Sequence, residues 1–290
     1  MGEASNFTTH SPHRFSPSLP PSLPIFRFRC RYGENMQQAM HLCAVDLPIE
    51  PIATCQWHKR PLDAVRLVAA GQLAVPDWST LTDVVREWDP PAPASSFRVR
   101  PLEERDVPSL TEHLATYLGR YELGAVMEEK EVRHRFMPTT TTGAAEVDSA
   151  AAPDRVVRTY VVVASDEEEK GAPSALLGVF SFYELSDRAA KGATPVRAAM
   201  AFYNASFAPP SSPSASQPRL DAVAVVSMAM HTARSIGCHA YYMLDALENG
   251  VALAPLRFRS CGADGALRYF VYNYALPEKI PPSGVGLVLM

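Results

Sequence analysis

The alternation of apolar and polar positions divides the chain into short periodic segments set between Ser-, Pro- and Thr-rich stretches. Residues 1–25 offer too little apolar surface to fold and are expected to be disordered. Over 35–43 the apolar spacing is helical, so a helix is expected there. Pro48, Pro51 and the run 89–93 (DPPAP) mark loops, and the last of these sets an expected domain boundary near residue 94. Beyond it, 97–100 reads as a strand. Asp106 followed by Pro108 predicts a cap and first turn, opening a helix whose Val107, Leu110, Leu114, Tyr117 and Leu118 lie on one stripe. A second helix is expected over 128–137.

Three β-rich runs follow, 156–164, 175–185 and 198–207, and read as a meander joined by low-complexity loops at 139–154, 165–174 and 209–217. The segment 220–236 is almost uncharged and apolar around most of its circumference, which predicts a buried helix that Gly237 is placed to end. A strand over 238–245, a short helix over 249–254, a strand over 267–276 and an apolar terminal strand complete the order β-α-α-β-β-β-α-β-α-β-β. This order predicts an α/β domain, a mixed sheet with helices on both faces.

Composition narrows the class. With 290 residues, 47% hydrophobic and 20% charged, the chain can bury one large core or two modest ones. A net charge of −4 gives no footprint for nucleic acid or an anionic membrane. The five cysteines never form a C-x-x-C pair, so neither a disulfide framework nor a zinc site is signalled, and a reducing, cytoplasmic setting is expected. No apolar run approaches the roughly 20 residues of a membrane-spanning helix. Among the eight histidines no metal-ligand pattern is complete, and His231, inside the apolar helix, reads as a core histidine bonded to a carbonyl. Beside Lys59 and Arg60, His58 taken alone reads as a surface loop residue.

The last six residues, 285–290 (VGLVLM), are apolar where most termini fray. Taken with 262–273 (GADGALRYFVYN), Phe202-Tyr203-Asn204, Phe180-Ser181-Phe182-Tyr183 and Cys55-Gln56-Trp57-His58, the chain resembles the C-terminal part of the N-myristoyltransferase (glycylpeptide N-tetradecanoyltransferase) family. The resemblance implies an acyl-CoA N-acyltransferase (GNAT-like) fold. One complete half would span 94–290, a remnant of the first half 35–93, and a disordered or unrelated extension 1–34. It implies transfer of myristate from myristoyl-CoA, a co-substrate with no further cofactor, to the N-terminal glycine of a protein or peptide. The Met290 α-carboxylate would be the base, and His58, Tyr183, Ser186, Asp264, Gly265 and Leu289 would contact the peptide.

The chain also departs from the family pattern. Leu42 stands where the family has a threonine, Gln56 replaces an aromatic, and Met200 replaces a groove tyrosine; two extra residues separate Phe258 from Asp264. The family's acyl-CoA cradle, an Asn-Phe-Leu-Cys-Val-His strand and a basic Arg-Ser-Lys-Arg turn, has no counterpart in the sequence. Two readings therefore stand: a transferase acting with a cradle not seen in this sequence, or an inactive, peptide-binding or structural remnant of the same fold.

Overall fold

The computed structural model describes residues 28–30, 38–42, 50–91, 96–137, 157–164, 175–187, 195–207, 220–271, 276 and 278–288. The three expected loops, most of the N-terminal extension, and Leu289 and Met290 lie outside the described residues.

The expected meander is present: β6 (Val157–Ala164), β7 (Gly178–Asp187) and β8 (Val196–Ser206) pair antiparallel in sequence order, with β4 (Phe97–Pro101) on the outer side of β6. Val161, Val162 and Val163 are all fully buried, as a strand covered on both faces requires. The sheet continues through β9 (Ala240–Leu244), β3 (Ala53–Pro61), β11 (Ala266–Val271) and β2 (Gln38–Leu42), and β10 (Arg259–Ser260) adds to β3. The β8–β9 pair is parallel and covers only Ala198–Met200 against Ala240–Tyr242, although both strands run on. Across that opening Asn204 Nδ2 donates to Asn249 Oδ1 at 3.2 Å.

Helices cover both faces of the sheet. On one face α3 (Val107–Leu118) and α4 (Glu129–Phe136) press Leu110, Leu114, Val132 and Phe136 against Val161, Val179 and Tyr203. Each such side chain, fully buried, contributes about 1.5–3 kcal/mol. On the other, α5 (Ala222–Ser235) packs Val225, Val226, Ala229 and Met230 on Val162, Phe180 and Phe182, joined by α6 (Gly250–Leu253). Asp221 caps α5 by accepting from the Ala224 N–H, and Gly237, at φ +88°, lets the chain turn away from it. A second, three-stranded sheet orders β1 (Phe28–Cys30), β5 (Leu123–Ala125) and β12 (Val285–Gly286), with β12 parallel to β5.

Four sequence readings are corrected. Residues 38–42 form strand β2, because β11 offers a full set of backbone partners from Gln38↔Val271 to Leu42↔Leu267 that outweighs local helical spacing. Asp106 does not cap α3; its carboxylate accepts from both terminal nitrogens of Arg100, at 2.6 and 2.9 Å, and from the Glu103 N–H. His58 lies in β3 rather than in a surface loop. Between β3 and β4 stand two helices not read from the sequence, α1 (Ala64–Ala69) and α2 (Leu81–Trp88), the latter opened by a Thr80–Asp83 capping box. His231 does bond a carbonyl, that of Pro91, but is half-buried rather than core.

Candidate active site

The last described residues run into the protein interior. Val285 and Gly286 pair with Leu123 and Gly124, and the chain then passes into the core, where Leu287 is 1% and Val288 2% exposed. An apolar segment in a dry interior must still satisfy its backbone polar groups. Three groups do so: the Leu247 N–H donates to the Val285 carbonyl at 2.8 Å, the Tyr269 hydroxyl to the Leu287 carbonyl at 2.7 Å, and the Val288 N–H to Tyr203 Oη at 3.3 Å. Burial raises both phenols, Tyr203 to about 12 and Tyr269 well above the usual tyrosine value, so both stay neutral. Leu247 makes its bond from φ 57°, a left-handed conformation rare for a bulky residue and concentrated at functional sites.

Two glycines permit this path. A Cβ on Gly124 would lie 2.4 Å from the Leu118 carbonyl oxygen, and one on Gly286 2.6 Å from the Tyr121 ring. The β5–β12 ladder exists only because neither residue has a side chain.

A second cluster lies where β3 crosses β9 and β11. The Gln56 N–H donates to Asp245 Oδ1 at 2.8 Å, and the Asp245 N–H returns a bond to the Gln56 carbonyl at 3.1 Å. His58 Nδ1 lies 3.0 Å from the same carbonyl, a distance that fits an Nδ1–H donor and leaves Nε2 as an acceptor. Gln56 Nε2 donates to the Gly262 carbonyl at 2.7 Å, which ties β3 to the loop before β11. Gly265 closes against it: a Cβ there would stand 2.5 Å from Gln56 Nε2. Burial raises the Asp245 carboxyl, with the Gln56 N–H and His58 opposing the shift. Asp245 in turn raises the Cys55 thiol, which burial already holds high.

The structure therefore brings His58 and Gly265 together around Gln56. Tyr183 belongs to a different row, in which Tyr183↔Met200, Met200↔Tyr242 and Tyr242↔Lys59 pair across four strands. Because neighbours along a strand point oppositely, that row faces away from His58. Tyr183 is half-buried against the same core as the terminal segment. Ser186, three residues on and opposite Arg197, is exposed. Asp264 lies in the short 3-10 turn Ala263–Gly265, and Leu289 and Met290 fall outside the described residues. Asp245, Tyr203 and Tyr269 were not assigned roles from the sequence. Asp245 does carry a signal, as the one acid in the apolar run 238–247.

A mixed sheet opened between two parallel strands, with helices on both faces and an apolar terminal segment drawn into the core, makes this an α/β domain. The model of the myristoyl-CoA:protein N-myristoyltransferase C-terminal domain matches residues 71–288, and the chain belongs to this family. It is 29% identical over 258 residues to glycylpeptide N-tetradecanoyltransferase 2 of Bos taurus, covering 88% of this chain and 45% of that protein. It is likewise 29% identical over 281 residues to the enzyme of Schizosaccharomyces pombe, covering 90% and 56%. The chain thus spans about half the length of the curated relatives it matches. A crystal structure of Saccharomyces cerevisiae N-myristoyltransferase with bound myristoyl-CoA superposes with a TM-score of 0.68 at 22% identity, over 87% of this chain and 58% of that one, which establishes the shared fold.

Proposed function

We propose that the chain supplies the peptide-side machinery of a glycylpeptide N-tetradecanoyltransferase, which moves myristate from myristoyl-CoA to the amine of an N-terminal glycine. In this reading the Met290 α-carboxylate takes a proton from the glycine ammonium. The freed amine then attacks the thioester carbonyl to form the carbon–nitrogen bond, the carbon–sulfur bond breaks, and the second proton shed by the amine nitrogen passes to the CoA sulfur, so that CoA leaves as the thiol. An unperturbed α-carboxyl near ~3.5 taking a proton from an amine near ~7.9 faces about 6 kcal/mol uphill. Burial of both groups narrows that gap, because desolvation disfavours each charged form.

The observation that carries the reading is the capture of Leu287 and Val288 in the core by two neutral phenols, immediately before Leu289 and Met290. His58, Tyr183, Ser186, Asp264, Gly265 and Leu289 are assigned to the peptide. His58 Nε2, left open by the Nδ1 contact, suits a donor on that peptide. The test is acyl transfer from myristoyl-CoA to a peptide beginning with glycine and to the same peptide beginning with N-acetylglycine. Transfer to the first and none to the second supports the proposal. Saturable binding of the glycine peptide with no transfer would instead assign the chain to peptide binding alone.

A further inference from the structure

Further along the row that carries Tyr183, where α1 and α2 meet the sheet, a cleft of about 180 Å3 opens beside Tyr242 and Lys59. Its floor is apolar, formed by Pro61, Leu67, Leu73 and Ala240. Its rim is cationic. Lys59 and Arg259 are direct cross-strand partners of β3 and β10, which places two like charges side by side on one face. Such pairs are destabilising when nothing lies between them.

The neighbourhood compensates only one of the two. Arg259 stacks on the Trp88 ring at 4.5 Å and pairs with Glu87 at 3.0 Å, while Lys59 meets no carboxylate among the described residues. Arg60, 1% exposed, gives its guanidinium to the carbonyls of Leu256, Pro61, Trp88 and Asp89. Its pKa falls to about 10, first through burial and then through the positive charge of Arg257, with Asp89 opposing. Arg234 occupies the Asp89 carboxylate at 2.9 Å. Arg60 and Arg259 thus both lie over the Trp88 ring, at 5.9 and 4.5 Å, while Glu87 and Asp89 are already bonded to Arg259 and Arg234.

We propose that this cleft binds a small organic anion, a carboxylate or phosphate carried on a short apolar body. The anionic head lies between Lys59 and Arg259, where it relieves their repulsion, and the body rests on Leu67, Leu73, Pro61 and Ala240. Tyr242, opposite Lys59 on β9, closes the far side.

Benzoate is a suitable probe, with acetate as head alone, benzamide as body alone and chloride at matched ionic strength. The readout is the indole N–H resonance of Trp88, assigned among the three tryptophans as the one that remains when Trp57→Phe and Trp78→Phe have each removed their own. The expected result is a saturable Trp88 shift with benzoate, far weaker binding of acetate and benzamide, and roughly tenfold loss of benzoate affinity in Lys59→Met and in Arg259→Gln, the loss expected for one charge-assisted hydrogen bond. Ala74→Leu, which fills the cleft without touching a charge, should abolish the shift. Inorganic phosphate in place of benzoate separates the two head chemistries: competition between them marks one shared head site, and independent binding would overturn the shared-head assignment. A shift equal to that produced by chloride, or one unchanged in both charge variants, would refute the cleft as an anion site.

Discussion

Tyr203 and Tyr269 do at the scale of single atoms what the proposed chemistry requires: they hold the backbone of Leu287 and Val288 with uncharged hydroxyls. Tyr269→Phe leaves the buried Leu287 carbonyl without its donor, and Tyr203→Phe leaves the buried Val288 N–H without its acceptor. Each loss should cost about 1–3 kcal/mol in chemical unfolding. Unfolding midpoints unchanged in both variants would mean the terminal segment is not held in this way. Asp106 gives a pH-dependent test. Burial alone would raise its carboxyl, but the Arg100 guanidinium and the Glu103 N–H outweigh it and hold the pKa below the usual value. A carboxyl lowered on folding adds stability above its unfolded pKa, about 3.9, and that stability is lost as pH falls through the folded value. Arg100→Met should therefore be more costly at pH 6 than at pH 3 in urea unfolding. Equal cost at both would remove the ion pair from the account.

The elements most readable in sequence were those whose period was long and unambiguous. The stripe of α3, the apolar circumference of α5 and the three strands of the meander all formed where their spacing placed them, because burial rewards that spacing directly. What was not legible depended on partners distant in the chain. Strand β3 carries a run of charged and polar residues, Gln56, His58, Lys59 and Arg60, and became central only because β9, β10 and β11 all pair with it. Likewise β2 has a helical pattern and a strand's partners. In the site, His58 and Gly265 were singled out from the sequence, and the structure brings both against Gln56. The Gln56–Asp245 exchange was not legible, since 189 positions separate its members. At this scale Gly124 is the informative position. Gly124→Ala drives a Cβ into the Leu118 carbonyl and should cost about 1–3 kcal/mol while loosening β12. Amide hydrogen exchange at Val285–Val288 should speed up in that variant, and unaltered exchange would show that β5 does not anchor the segment.

Over the whole molecule, one sheet of nine strands carries both the 35–93 stretch and the strands after residue 94, and the family match begins at residue 71, inside the first of these. The terminal segment returns to this body last, after every other element is in place in sequence, and lies beside Tyr203 and Tyr269 from two different strands. Among the described residues no helix is long and apolar enough to cross a membrane. The proposed role of the Met290 carboxylate as the base is tested by adding one glycine after Met290. The addition keeps every side chain, turns the Met290 carboxylate into a neutral amide and moves the charge about 3.5 Å away. Turnover of myristoyl-CoA with a glycine-ended peptide is compared between the extended and unextended forms, using the chain itself and the chain joined to the N-terminal half of a relative. The expected result is a loss of roughly 10²- to 10⁴-fold on extension and little change for Met290→Leu, whose carboxylate is intact. An extended form that retains its rate within about threefold, far short of the loss of a general base, would contradict it.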